Sequence, residues 1–116
     1  MRHGRQGRKF HREKGQRTAF KKSIAGNLIV KGSITTTEAR AKEIKREVEK
    51  LLTLAKKQTL GSLRLLLARL SKPAAMKLFY DIAPRYAQRK GGYLRIVKVS
   101  KIRKGDGVAM NIVEFV

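Results

Sequence analysis

The sequence predicts a two-layer α+β domain that follows a basic N-terminal arm. Apolar residues recur at spacings of three and four through the middle of the chain, as on buried helix faces. Two runs rich in β-branched residues come next, with a glycine-rich turn between them. The opening residues carry no such periodicity, so we divide the chain into an arm, 1–17, and a single domain, 18–116. The expected order is a helix, a short strand, three helices and a C-terminal β-hairpin.

The first helix is predicted from about Thr18. Its apolar face repeats at a spacing of four, with Phe20, Ile24 and Leu28. The face behind it carries Lys21 and Lys22. Gly32 is expected to end the helix, because glycine tolerates backbone angles that other residues avoid. Residues 33–35 are rich in β-branched side chains and predict a short strand.

The clearest helix lies within residues 35–57. Its apolar stripe keeps helical spacing throughout and consists of Ala41, Ile44, Val48, Leu51, Leu52 and Ala55. Two N-caps are open, either Thr35 with Glu38 completing a capping box, or Thr37. The glutamates of this helix are expected to be solvated partners of basic residues four positions on, as Glu38 is of Lys42.

Two further helices are predicted before the hairpin. The first has a leucine stripe made of Leu63, Leu66, Leu67 and Leu70. Ser71 and Pro73 suit the N-cap and the first turn of the second. The side chains expected to face inward from that second helix are Ala75, Leu78, Phe79 and Ile82. Pro84 is expected to end it, because proline cannot continue the hydrogen bonding of a helix.

The C-terminal part predicts the β-hairpin. Residues 93–102 and 108–116 are rich in β-branched and aromatic side chains. The stretch between them contains Gly105, Asp106 and Gly107, which suit a hairpin turn.

The composition is strongly basic. The 116 residues include 29 Lys or Arg and eight Asp or Glu, a formal net charge of +21. A domain with this charge repels itself, so a polyanionic partner is expected: nucleic acid, an anionic membrane surface or an acidic protein. The absence of cysteine excludes disulfides and thiolate chemistry and is typical of a reducing cytoplasm. No apolar run approaches the ~20 residues of a membrane span, so we expect a cytoplasmic protein without membrane contact.

The arm has the residue types of an RNA-binding extension. Its basic side chains recur every few residues, at Arg2, Arg5, Arg8, Lys9, Arg12 and Arg17. Guanidinium groups pair bidentately with phosphates, and the interleaved His3, Phe10 and His11 can stack on unpaired bases. The alternative is a tail that only increases solubility. We expect the arm to be disordered in the free protein, because its like charges repel one another.

A second basic cluster spans residues 85–104, which contain eight Lys or Arg and no acid. Its candidate RNA-contacting cations are Arg85, Arg89, Lys90, Arg95, Lys101 and Arg103, and Lys21 and Lys22 of the first helix are added to them. Gly91 and Gly92 predict a tight turn, in which Gly92 requires a conformation or a close approach that a Cβ forbids. Both glycines and Tyr93 are candidate RNA contacts. The rings of Tyr86 and Tyr93 either face RNA or pack into the core.

No catalytic or metal site is predicted. His3 and His11 are the only histidines, and neither has a partner at metal-ligand spacing. No carboxylate pair suits general acid–base chemistry, and the RKGDG stretch lacks the Lys-Ser/Thr end of a phosphate-binding P-loop. We therefore expect a binding protein without a cofactor, a metal or a small-molecule substrate.

Several short motifs together resemble one protein family along the whole chain. In order they are Arg2-His3, residues 7–9, Thr36-Thr37, residues 40–43, 51–56, 77–79 and 82–86, Arg89, residues 91–93 and Arg95-Ile96. Their order and spacing are similar to those of the bacterial large-subunit ribosomal protein L-seventeen family. The arm departs from the family pattern at Gln6, Phe10, His11 and Gln16.

This resemblance implies a non-catalytic structural constituent of the ribosome. It implies binding to large-subunit ribosomal RNA, whose folding and assembly the protein stabilises near the polypeptide exit region, beside neighbouring large-subunit ribosomal proteins in the cytoplasm. Two rival interpretations are a DNA-compacting nucleoid protein and a cationic membrane-surface protein. The sequence shows neither a helix-turn-helix pattern nor a long Lys-rich amphipathic helix, which these rivals need.

Overall fold

The computed structural model describes residues 8–116, apart from the side chains of residues 100 and 101. Its helices are α1 (Lys14–Lys31), α2 (Glu38–Ala55), α3 (Leu60–Arg69), α4 (Lys72–Lys77) and α5 (Ala83–Arg85), and a π-helical segment, Leu78–Ile82, joins the last two. Its strands are β1 (Ser33–Thr37), β2 (Leu94–Ile102) and β3 (Ala109–Phe115). Since α4, the π-helical segment and α5 follow one another without a break, the predicted α+β class and order of elements are confirmed.

The three strands form one antiparallel sheet in the order β1-β3-β2. β2 and β3 are the predicted hairpin, and β1 pairs with the other edge of β3. Val113 of β3 lies between Ile34 of β1 and Ile96 of β2. Neighbouring residues on paired strands share a face, and this face packs on α2, which contacts all three strands. Helices and sheet therefore make the two predicted layers.

Helix α1 begins at Lys14, four residues before the predicted start and inside the predicted arm. Its N-cap is Glu13, whose backbone N–H donates to Gln16 Oε1 at 3.4 Å. The predicted end at Gly32 is confirmed. Gly32 has a φ of 85°, a left-handed conformation that glycine adopts without strain, and this lets the chain turn directly into β1.

Helix α2 buries every residue of its predicted apolar stripe, from Ala41 to Ala55. Its N-cap is Thr37, whereas Thr35 lies inside β1. Of the two N-caps that the sequence left open, Thr37 is therefore the one used. The expectation of solvated glutamates holds for Glu38 but is wrong for Glu43, which is 3% exposed.

Helix α3 turns a narrower face to the core than predicted. Leu66 and Leu70 are buried, Leu63 is half-buried, and Leu67 is 37% exposed. The prediction that Leu67 faces inward is wrong because α3 packs through a single row of residues four apart, and Leu67 lies beside that row. The four residues predicted to face inward from the next helix, Ala75, Leu78, Phe79 and Ile82, are all buried.

Pro84 does not end its helix, contrary to the prediction, and lies in the first turn of α5. The π-helical segment before it closes with a hydrogen bond from the Ala83 N–H to Leu78 O. This wider turn accommodates a residue that has no N–H to donate. The helical path therefore continues to Arg85.

Candidate nucleic-acid interface

All eight side-chain carboxylates of the chain lie in the described part, and seven of them are engaged within the protein. Six form ion pairs with Lys or Arg: Glu38, Glu43, Glu47, Asp81, Asp106 and Glu114. Glu49 accepts a hydrogen bond from the Tyr93 N–H at 3.1 Å. Glu13 is the N-cap of α1 and is exposed. Most of the negative charge is thus paired inside the protein, and a large surplus of cations remains to face a polyanion.

The described part of the arm folds back onto α1 and α2. Phe10 stacks on Phe20, with ring centroids 5.3 Å apart. The guanidinium groups of Arg12 and Arg40 lie 3.8 and 4.9 Å from the centre of the Phe20 ring. We call these four residues the aromatic patch. Phe10 and His11 both have positive φ, 52° and 53°, so the chain turns sharply just before α1.

Glu43 ties the arm and α1 to α2. Its side chain is 4% exposed and lies 2.9 Å from Lys21 Nζ and 3.4 Å from an Arg8 guanidinium nitrogen. Burial raises the pKa of Glu43, but the hydrogen bonds from Lys21 and Arg8 and the charges of Lys21 and Arg46 outweigh burial, so this pKa lies below its ordinary value. Sequence reasoning missed this carboxylate because its burial depends on the arm and α1 packing over it, which no local pattern reveals.

The expectation of a disordered arm is wrong for residues 8–17, which the structure places against the helices or within α1. The Arg12 guanidinium donates to Phe10 O at 2.9 Å, and that of Arg17 donates to Arg12 O at 3.1 Å. Among the other predicted contacts of the arm and α1, the exposed ones are Arg8, Lys9, His11 and Lys22, and Arg8 is exposed although it pairs with Glu43. The predicted contacts Arg2, His3 and Arg5 lie outside the described residues.

The second predicted cluster contains a short loop, Arg89, Lys90, Gly91, Gly92 and Tyr93, which we call the glycine loop. Gly92 has a φ of 64°, so the predicted need for an unusual conformation is confirmed. A Cβ at Gly92 would meet no atom within 4 Å, so the other expectation, a close approach, is wrong. Arg89 and Lys90 are exposed.

Both tyrosines of this region pack into the core, which was one of the two alternatives left open by the sequence. Tyr93 is 2% exposed, and its ring meets that of Tyr86 edge-on at a centroid distance of 5.6 Å. Tyr86 donates its hydroxyl to Val116 O at 2.6 Å, and burial raises the pKa of Tyr86. Tyr93 is therefore a support of the glycine loop and does not offer its ring to a base.

Glu49 of α2 and Lys56, the C-cap of α2, hold the backbone of the glycine loop. Lys56 donates from Nζ to Arg89 O and, at 2.8 Å, to the Tyr93 hydroxyl. Glu49 accepts from the Tyr93 N–H, and Tyr93 O accepts from the Val116 N–H at 2.9 Å. Sequence reasoning missed both Lys56 and Glu49, because they lie more than 30 residues from the loop they hold.

Three of the remaining predicted cations pair with the protein's own carboxylates. The pairs are Arg85 with Asp81 at 2.8 Å, Arg95 with Glu114 at 2.6 Å, and Arg103 with Asp106. The hydrogen bond from Arg103 lowers the pKa of Asp106 to about 2. Exposed ion pairs of this kind are weak, so a phosphate can compete for these arginines. Nothing is described of the Lys101 side chain.

A basic cleft of about 490 Å³ lies between α1, α2 and the end of α3. Lys21 and Lys22, both predicted contacts, line it together with Lys50 and Arg69, which sequence reasoning missed. Helical periodicity does place Lys50 and Arg69 on outward faces. It cannot show that those faces meet across one cleft.

Within residues 8–116, no group of three His, Asp or Glu side chains is placed to hold a metal ion. In the same part of the chain, no helix combines the length and the apolar character needed to cross a membrane.

Comparison with known proteins gives a consistent result. A family model described as ribosomal protein L17 matches residues 20–116. The large ribosomal subunit protein bL17 of Persephonella marina is 50% identical over 118 residues, which cover 100% of this chain and 95% of that protein. The bL17 of a Sulfurihydrogenibium species is 44% identical over 117 residues, covering 100% and 97%. The bL17 of Bdellovibrio bacteriovorus is 44% identical over 115 residues, covering 98% of this chain and 63% of that protein.

Proposed function

The chain belongs to the ribosomal protein L17 family, and on that basis we propose that it binds large-subunit ribosomal RNA. Membership of the family makes it a structural, non-enzymatic constituent of the large subunit of the cytoplasmic ribosome. Within that subunit, its residues neutralise RNA phosphates and hold separate RNA segments in fixed positions, which stabilises the folding and assembly of the RNA.

The engagement of seven of the eight carboxylates inside the protein is the observation that carries this proposal. With 29 basic against eight acidic residues, the acids satisfy only a minority of the cations. The other cations gain most from a polyanion, because binding to phosphates releases the counterions condensed on the nucleic acid. A protein most of whose acids are already paired with its own cations therefore suits the closely spaced phosphates of a nucleic-acid backbone.

The arm, 1–17, and the domain, 18–116, each supply one RNA-contacting region in this proposal. In the arm, the exposed Lys9 and His11 lie next to the aromatic patch. In the domain, the glycine loop presents its two exposed cations, and the ion-paired arginines of the hairpin can exchange a carboxylate for a phosphate. Contacts in both regions let one small protein connect two RNA segments.

The proposal also places the protein near the polypeptide exit region, beside other proteins of the large subunit. Resemblance to the family supports this placement. Leu60, Tyr80 and Ile102 are each more than 60% exposed and offer apolar surface for such protein neighbours.

Sedimentation of a cell lysate and an RNA-binding titration together test the proposal. We expect the protein to sediment with the large subunit and to bind a large-subunit ribosomal RNA fragment more tightly than a random DNA duplex of equal length. For about eight neutralised phosphates, affinity should fall roughly three to five decades between ~50 and ~200 mM salt. Equal binding to both nucleic acids, with no protein in the subunit fraction, would instead favour a DNA-compacting role.

A further inference from the structure

We propose that Lys56 is a positioning residue that fixes the glycine loop in one conformation before RNA arrives, so that the loop selects one RNA geometry. This inference rests on the proposed RNA binding. It gives a structural reason why the protein would prefer RNA of one shape. It assigns Lys56 a role that requires no contact with RNA.

The contacts of Lys56 are directed at the loop backbone. Lys56 is the C-cap of α2, and its half-buried side chain reaches Arg89 O, the first carbonyl of the glycine loop. Its Nζ also meets the Tyr93 hydroxyl and lies 4.9 Å from the centre of the Tyr93 ring. One ammonium group therefore connects the first and the last residue of the loop.

Three further hydrogen bonds complete a frame around the loop. Tyr93 donates its hydroxyl to Arg89 O at 3.3 Å, and Glu49 holds the Tyr93 N–H. Inside the loop, Arg89 Nε donates to Gly91 O at 3.2 Å. Arg89 and Tyr93, the two ends of the loop, are thus held by side chains of Lys56 and Glu49. The distance that Gly91 and Gly92 must span between them is therefore fixed.

A frame is needed because the loop is intrinsically mobile. Adjacent glycines have more accessible backbone conformations than any other pair, and ordering them costs the most entropy. Without Lys56 the loop would keep its charge but sample many shapes. A preorganised cationic surface discriminates between RNA geometries, whereas a flexible one adds affinity for any phosphate chain.

The neighbouring Lys57 provides a matched control. It carries the same charge at the end of the same helix and is exposed, and no side-chain hydrogen bond of Lys57 is found within the described residues. Lys56→Met and Lys57→Met each remove one cation and keep a long apolar stem. Only the first removes the frame.

The experiment measures affinity for a large-subunit ribosomal RNA fragment and for a random RNA duplex of equal length, together with amide exchange of residues 89–93. We expect Lys56→Met to lower the preference for the ribosomal fragment about tenfold and to speed amide exchange in the loop, since a hydrogen bond from a charged group is lost. Lys57→Met should lower both affinities equally and leave exchange unchanged. The salt dependence of binding should be the same for the two variants.

Equal effects of the two lysine substitutions on both RNAs and on exchange would overturn the proposal, because Lys56 would then act only as a charge. Tyr93→Phe, which removes the hydroxyl bridging Lys56 and Arg89 O, should repeat the loss of preference in a milder form and keeps the test valid if Lys56→Met does not fold. A native protein without preference for the ribosomal fragment would contradict the proposed function instead. Amide exchange would still decide whether Lys56 holds the loop.

Discussion

The aromatic patch and the glycine loop are both basic regions built around aromatic rings, yet they are held in opposite ways. In the arm, the guanidinium groups of Arg8 and Arg12 make the holding contacts themselves. In the glycine loop, Lys56 and Glu49 hold backbone atoms from outside the loop, and Arg89 adds one hydrogen bond to Gly91 O while both loop cations stay exposed. The two regions are therefore equally basic but differ in how available their cations are. Arg8 and Arg12 of the arm must release their present contacts to reach a phosphate, whereas the cations of the loop are already exposed.

The energies of these contacts make such a release feasible. A partly exposed cation–π contact stabilises by about 0.5–1 kcal/mol, and an exposed ion pair by no more. Arg8 is 43% exposed in its pair with Glu43, so water already reaches one side of this contact. We therefore expect the arm to add affinity when its arginines exchange their contacts within the protein for phosphates. We expect the loop to add selectivity, because its fixed conformation fits one RNA geometry.

Removal of residues 1–12 should have the largest effect and tests this division. The deletion leaves α1 intact, because the helix begins at Lys14. It removes five cations: Arg2, Arg5, Arg8, Lys9 and Arg12. We expect affinity for ribosomal RNA to fall about a thousandfold near ~150 mM salt, and the slope of log affinity against log salt to flatten by several units. Preference over a random duplex should persist; its loss would assign selectivity to the arm.

Glu43→Gln should have the next largest effect, and it tests how the arm is held against the helices. The substitution removes the carboxylate that Lys21 and Arg8 share but leaves both cations partly exposed to water, so the free energy of unfolding should fall by about 2 kcal/mol, the size of a lost charge-assisted hydrogen bond. Amide exchange should rise in residues 8–13 and stay unchanged in the glycine loop. Glu47→Gln is the control, because its side chain is 38% exposed and its loss should cost less than ~1 kcal/mol. Comparable losses in the two variants would refute the anchoring role of Glu43.

Acidification should produce a weaker form of the same change. The pKa of Glu43 lies below its ordinary value of 4.5, so its ionised form stabilises the folded protein. This contribution is fully present above that ordinary value and is lost as the pH falls through the lower pKa of the folded state. We expect the protection of residues 8–13, measured relative to the intrinsic exchange rate at each pH, to fall on acidification in the native protein. The same fall in protection in Glu43→Gln would show that another group is responsible.

Gly92→Ala should have the smallest effect, and it tests whether the conformation of the glycine loop determines selectivity. A Cβ at a φ of 64° costs about 1–2 kcal/mol through its clash with the backbone, although nothing else lies within 4 Å. Preference for ribosomal RNA should weaken together with this loss of stability. Gly91→Ala is the matched control, since its Cβ also meets nothing and its φ is not in the left-handed range. If the two variants unfold at the same denaturant concentration, the strained turn at Gly92 is not what shapes the loop.

Most of the fold could be predicted because its elements are set by local patterns. The stripe of α2 and the turn after β2 depend on spacing and glycine placement within short windows. Errors arose where tertiary packing decides. Leu67 belongs to a helical apolar stripe but lies outside the narrow row that α3 buries, and Pro84 is accommodated by a π-helical turn that no local signal marks.

The candidate site was predicted less completely than the fold. Charge and spacing identify exposed cations such as Lys90, since solvated lysine needs no partner. They do not reveal that Tyr93 is buried, that Glu43 is enclosed by the arm, or that Lys56 reaches across to a distant loop. Each of these depends on which surfaces meet after folding. Sequence patterns therefore indicate which residues carry charge, and packing decides which of them are free to use it.

The position of β3 in the middle of the sheet determines the order in which a newly made chain can fold. β1 and β2 are both synthesised earlier, but neither can pair until residues 109–115 have left the ribosome. The helices α1 and α2, which lie close together in sequence, can pack before that point. The sheet then closes in one late step, and the Val116 N–H, which follows β3, reaches Tyr93 O only then. The surface that we infer to select RNA is consequently completed last, after the arm has already been exposed to its surroundings.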